Sequence, residues 1–289
     1  MKNLKEYIIE GIFDVEDNIS NMDKSIKDQI KQFLKDNFKG VSSCKISHKP
    51  NTDGKYEVSS SKDIKVINKK ITSLTNGMFI WTTVGGTFDC SDCKSLTSLE
   101  GAPKEVGGNF NCGWCSHLKS LNGSPKEVGG NFLCFDCSSL TSLEGAPEYV
   151  ENIFSCVRCD SLISLKGAPE KVGGDFKCWE CNSLISLEGA PKEVGGEFEC
   201  WGCNSLTSLK GAPKEVGGDF CCSCRSLKSL EGAPEKVGGD FSCGYCESLT
   251  SLEGAPKEVG GDFKCHNCHI LFTIDDVKKV SNVKGMIKV

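Results

Sequence analysis

A phenylalanine recurs at positions 88, 110, 132, 154, 176, 198, 220, 241 and 263. The step is 22 residues throughout, except 21 between Phe220 and Phe241. Around each one the chain repeats the phrase V-G-G-x-F-x-C-x-x-C-x-S-L-x-S-L-x-G-A-P. A unit this short cannot bury an apolar face by itself, so neighbours must stack and share one core. The F-x-C segment has the period-2 alternation of a short strand. Gly-Ala-Pro and Gly-Gly punctuate each unit as turns, and Pro191, with no N–H to give a ladder, belongs at a bend. The expected architecture is a repeat solenoid, mainly β, with few helices.

The edges of the array set the expected domains. The solenoid covers residues 63–271 in about ten units. Its degenerate first unit, IKVINKKITSL, carries Ile64, Val66, Ile71 and Leu74, with Asn68 near the place later units give to Cys. An open end would expose core and a strand edge. Residues 272–289, which abandon the repeat, are therefore expected to form a C-terminal cap: a short helix after Thr273 and a last strand. Residues 21–62 are expected to form a small α+β N-terminal cap. There Ile26, Ile30, Phe33, Leu34 and Phe38 make one helical stripe, Gly40 ends the helix, and a hairpin turns at Asp53-Gly54. Residues 1–20 read as an N-terminal helix or tail.

The repeat resembles the leucine-rich repeats, whose signature is L-x-x-L-x-L-x-x-N/C-x-L. Phe176 falls on the first strand Leu, Cys178 on the second, Cys181 on the Asn/Cys position, and Leu184 and Leu187 continue the core. The resemblance covers about residues 64–289. It implies a parallel sheet on the concave face, with both cysteines of each pair inside the coil. Phe and Cys in place of two Leu are departures. So is the Gly-Gly-rich return leg, which implies loops or short strands rather than α-helices on the convex side.

The chain holds 20 cysteines, most of them in C-x-x-C pairs. Three chemistries are open. Two such pairs on adjacent coils would supply four thiolates for zinc or an iron–sulfur cluster. A thiol-based redox role is weaker, because a thioredoxin-like pair opens a helix in a βαβ context. The bland reading is packing, since free Cys is small, apolar and readily buried. Disulfides within a pair are disfavoured: Cα atoms three residues apart on a strand lie about 10 Å apart, beyond the ~7 Å a bridge can span. In the shortened unit DFCCSCRSL, Cys222 keeps F-x-C while Cys221 and Cys224 keep C-x-x-C, so an inward thiol is available in either register. His266 and His269 flank Cys268 in the last unit, where solvent-facing cap histidines are the simpler reading.

Net charge is −5, and Arg158 and Arg225 are the only arginines, so no basic nucleic-acid footprint exists. No secretory signal opens the chain and no run approaches the ~18 apolar residues of a membrane span. A soluble protein with reduced thiols follows as the expectation. No nucleophile–base pair, paired catalytic acids or phosphate loop emerges, so neither an enzyme nor a cofactor is expected.

Positions around the cysteines vary from unit to unit, whereas Phe, Cys, Leu, Ala-Pro and Gly-Gly barely change. Period-2 geometry turns these variable residues outward. The candidate partner-binding set is Trp114, Phe135, Arg158, Lys177, Trp179, Glu180, Glu199, Trp201, Tyr245 and His266. Tryptophan and tyrosine anchor many protein interfaces, and solenoids bind on such faces. The expected function is a non-enzymatic repeat scaffold that binds a macromolecular partner, a protein, on its concave face. A carbohydrate also suits an aromatic face, and the rival class is a metal-binding or thiol-based protein. No nucleic-acid or membrane partner is expected.

The first residues, MKNLKEYIIEGIFD, resemble the capsid-targeting peptides of T-even-like phage internal head proteins, with Ile8-Ile9-Glu10 before Gly11 similar to their processing site. A helix docked on the solenoid cap is the plainer alternative. The phrase SLEGAPKEVGG resembles repeat proteins of phage and prophage genomes. These resemblances imply a phage origin, with the host cytoplasm or the virion as location.

Overall fold

A computed structural model describes residues 22–289; the expected N-terminal helix or tail at 1–20, its targeting resemblance and the cut before Gly11 lie outside the described residues. The described chain is a β-solenoid of about 11 turns. Two 12-stranded sheets run its length. One is built from the Phe strands, such as Phe176–Lys177. The other is built from the Val strands of the return leg, such as Glu193–Val194. Each strand pairs with its counterpart one coil away, Phe176 opposite Phe198 and Val172 opposite Val194. Each coil thus passes from Phe strand to C-x-x-C corner, Leu leg, Gly-Ala-Pro corner, Val strand and Gly-Gly corner.

The repeat folds this way because its fixed positions become ladders. In the coil of Phe176, the side chains of Phe176, Cys178, Cys181, Leu184 and Leu187 are fully buried, and Val194 is nearly so. The Phe rings stack from coil to coil, with centroids 5.4 Å apart between Phe154 and Phe176 and 5.1 Å between Phe176 and Phe198. Parallel strands put identical residues side by side, so one good contact is repeated at every step.

The glycines fit corners where backbones nearly touch. Gly189 has φ +89°, and a Cβ there would lie 2.5 Å from the backbone nitrogen of Lys166 on the preceding coil. Gly54, in the hairpin turn, also has positive φ (+72°) but open space around it. Gly54→Ala should cost only local strain, about 1 kcal/mol. Gly189→Ala adds a clash with backbone that cannot move aside, so about 3 kcal/mol or more is expected. Urea unfolding of the two variants checks this; equal losses would mean the corner is looser than the structure has it.

The N-terminal cap holds one helix, over residues 22–37. Ile30 and Leu34 are buried, with Ile26 and Phe33 packed against the core. Two sequence expectations need correction. Phe38 is not on the helix: it forms the strand Phe38–Lys39, antiparallel to Ile64–Val66. There its ring sits 5.5 Å from Trp81, which leads into Phe88 and the ladder. Gly40 takes the left-handed conformation, but it opens a 3-10 turn at Val41–Ser43 instead of ending the helix. The hairpin is present, Cys44–Ile46 against Tyr56–Ser60, and both its strands belong to the Val sheet, which it begins.

At the other end Thr273 caps the helix Ile274–Val280 through a capping box with Asp276. The strands Asn282–Val283 and Ile287–Lys288 then extend both sheets. The cap is thus a further partial coil, which is why the turns outnumber the ten units counted in sequence.

Candidate binding surface

At the C-x-x-C corner the first cysteine faces in, the next two residues face out, and the second cysteine returns to the core. The returning thiol has a hydrogen-bonding task. Cys181 Sγ donates to the carbonyl of Cys156, on the coil before, at 3.1 Å, and Cys203 Sγ to that of Cys178 at 3.2 Å. The same bond links Cys115 to Cys90, Cys137 to Cys112 and Cys159 to Cys134. These carbonyls face the core, where an unpaired acceptor is costly. A thiol is small and apolar enough to be buried and still carries a weak donor. This accounts for cysteine where a plain apolar residue would fill the space equally well.

All twenty thiols are free. Burial pushes those of Cys90, Cys112, Cys178 and Cys200 well above the ordinary thiol range. At Cys156 the hydrogen bond with Cys181 comes first and burial second. Among the described residues, no three or more His, Cys, Asp or Glu side chains converge as a metal cage would need. In the shortened unit the inward pair is Cys222 and Cys224, spaced C-x-C. Cys221 turns outward, registered between Glu199 and Ser242, and does not supply an inward thiol. Its thiol is half-buried, and burial raises it to about 11.

The outward residues form three parallel columns. The middle column, at the first place inside C-x-x-C, holds Phe135, Val157, Trp179 and Trp201. The indoles of Trp179 and Trp201 stack with centroids 4.6 Å apart and planes 8° from parallel. Trp114 meets Phe135 edge-on at 4.5 Å; Gly113, behind it, leaves room that a Cβ would take from the Phe135 ring. The result is an aromatic ridge along the middle coils.

The second column, one residue on, holds Trp114, Arg158, Glu180 and Tyr245. All four have positive φ, between 53° and 59°. Asp92, Asp136, Asn267 and Gly202 occupy the same place in other coils. Asn, Asp and Gly suit that conformation, whereas bulky side chains are strained in it. Trp114 and Tyr245 nevertheless stand there, 49% and 57% exposed. Neither the turn nor the core requires them. Arg158 makes a two-point ion pair with Asp136, at 2.9 and 2.6 Å, and lies over the Trp179 ring at 5.6 Å.

The third column lies on the Phe strands. Lys177 and Glu199 neutralise each other across one step at 3.1 Å, and Lys177 also reaches Asp175 at 3.2 Å. His266 does not join the ridge; it meets Tyr245 edge-on at 5.2 Å in a separate cluster at the C-terminal end. The ten sequence-predicted residues therefore form one ridge with charged flanks and one small outlying pair.

Sequence reasoning missed the residue before each Phe. Asp175 Oδ1 accepts from the Glu197 backbone N–H at 2.9 Å, and Asn109 does the same for Asn131 at 2.8 Å. The recurrence of Asp and Asn before Phe was the available signal. No helix among the described residues is long and apolar enough to cross a membrane. No protein-family model, no curated protein and no solved structure matches the chain.

Proposed function

We propose that this chain is a non-enzymatic, leucine-rich-repeat-like scaffold that holds a macromolecular partner, a protein, on the outer face of its Phe sheet. The observation that carries the reading is the aromatic ridge. Trp114 is half exposed, at a strained backbone position, and Phe135, Trp179 and Trp201 are partly exposed, where folding asks for no large ring. Rigid, flat, amphipathic side chains are what interface hot spots are made of. Strand pairing holds the rings in place before any partner arrives, so little ordering cost remains for binding.

The resemblance of SLEGAPKEVGG to phage and prophage repeat proteins sets this scaffold in an infected host or a virion. The partner is then a host protein or a virion component.

The test is the double variant Trp179→Ser, Trp201→Ser. Both side chains leave the core untouched, so circular dichroism and Tm should stay nearly unchanged. Partner capture from host lysate should weaken by about 2 kcal/mol or more, as removal of a hot spot does. Unchanged capture with the fold intact would move the partner surface elsewhere.

A further inference from the structure

The ridge is unevenly covered. Trp179 is sandwiched between the guanidinium of Arg158 on one side, at 5.6 Å, and Trp201 on the other. Trp201 has Trp179 on one face only. On the next coil its place is taken by Ser223: the Gly202 N–H donates to the Ser223 carbonyl just as the Glu180 N–H donates to that of Trp201. A serine is too small to cover an indole. The coil after that has Gly244, so neither of the next two coils offers a large side chain at this place.

The surroundings are acidic. At the Phe strand and C-x-x-C corner of the four coils that start at Phe132, Phe154, Phe176 and Phe198, the outward residues include Asp136, Asp160, Asp175, Glu180, Glu197 and Glu199 against Arg158 and Lys177. Both cations are already spent on neighbours, Arg158 on Asp136 and Lys177 on Asp175 and Glu199, and Arg225, on the Ser223 coil, is paired with Glu247. Asp160 and Glu180 have no ion-pair partner among the described residues. The crowding shows at Glu197, whose carboxyl is raised above its usual range, first by a hydrogen bond with Glu199 and then by burial.

Resting on the docking reading above, we infer that the partner is a cationic polypeptide and that one of its lysines or arginines seats on the open face of Trp201. The chain shows the same contact internally, with Arg158 on Trp179. An indole face attracts a cation most strongly of the aromatic rings; the unpaired Glu180, whose side chain lies against Gly202 beside Trp201, favours positive charge there, and the acidic corner as a whole steers its approach. A polyanion such as nucleic acid would be repelled by the same carboxylates.

The experiment selects ligands for the full chain from a random peptide display library. Enriched peptides should carry Lys or Arg beside an apolar residue. Their affinity should fall with added salt and drop about tenfold or more in Glu180→Lys. It should fall comparably in Ser223→Arg, whose guanidinium covers that face as Arg158 covers Trp179. The Tm of each variant checks that the fold is kept. Neutral or acidic enriched peptides, or full affinity in Ser223→Arg, would overturn the inference. The Trp179→Ser, Trp201→Ser variant separates the two readings. If it abolishes binding of neutral peptides, the ridge docks partners but has no cationic preference. If it leaves all peptide binding intact, or if no peptide is enriched, the docking reading falls as well.

Discussion

Raising the pH through about 9 should unfold this protein over roughly one pH unit. The cause is the buried thiol ladder. Burial pushes the thiols of Cys90, Cys112, Cys134, Cys159, Cys178, Cys200, Cys222 and Cys243 well above their ordinary value. At Cys156 the hydrogen bond with Cys181 adds first to the same effect. In the unfolded chain each thiol titrates near 8.5. A group raised in the folded state stabilises fully below its unfolded pKa and loses that contribution as pH rises toward its folded pKa. Each such thiol therefore withdraws about 1.4 kcal/mol per pH unit above that point. Nine together withdraw on the order of 10 kcal/mol per unit, against a domain stability of ~5–15 kcal/mol. Circular dichroism and thiolate absorbance should change together. Thiolates appearing while the fold persists would contradict the buried ladder. Metal-bound thiolates would give the opposite profile, with stability lost toward acid as the ligands take up protons.

Phe176→Ala should cost about 3–5 kcal/mol, the range for buried Phe truncation. Phe176 is fully buried and stacked on both sides, at 5.4 Å and 5.1 Å from its neighbours. Its loss opens a ring-sized void midway along the ladder. The surroundings cannot collapse into it, because each coil is pinned to the next by strand hydrogen bonds. Denaturant midpoints of this variant and of Cys181→Ala should differ clearly, since the second removes one small group and one weak hydrogen bond. A larger loss in Cys181→Ala would mean that the thiols do more than pack.

The ladder was legible because period carries it. A Phe, two Cys and two Leu at a constant step leave only one way to share a core. The Val sheet was harder to see: strands of two residues, such as Glu193–Val194, are too short to show alternation. The last partial coil was hidden by substitution. NVKGMIKV aligns with EVGGDFKC, but Ile287 and Val289 stand for the Phe and Cys that made the pattern visible. Phe38 fits a helical stripe and a strand equally well, and only the pairing with Val66 decides between them.

The outward aromatics could be listed from sequence, but their grouping could not. Three columns arise because the corner turns through a positive-φ residue, and the units bearing Trp114, Arg158 and Tyr245 conceal that turn. Asp92, Asp136, Asn267 and Gly202 at the same place were the signal. The thiol-to-carbonyl bonds join different coils, so no single unit displays them. The ion pairs of Lys177 with Glu199 and of Arg158 with Asp136 also lie between coils.

The C-x-x-C pairs build one fold rather than a row of sites. Elemental analysis of the purified protein tests this most directly, against the zinc or iron–sulfur alternative that the spacing alone permits. The thiols bonded to carbonyls predict no metal bound in stoichiometric amount. Several atoms of zinc or iron per chain would contradict the packing reading and make the ladder a metal scaffold.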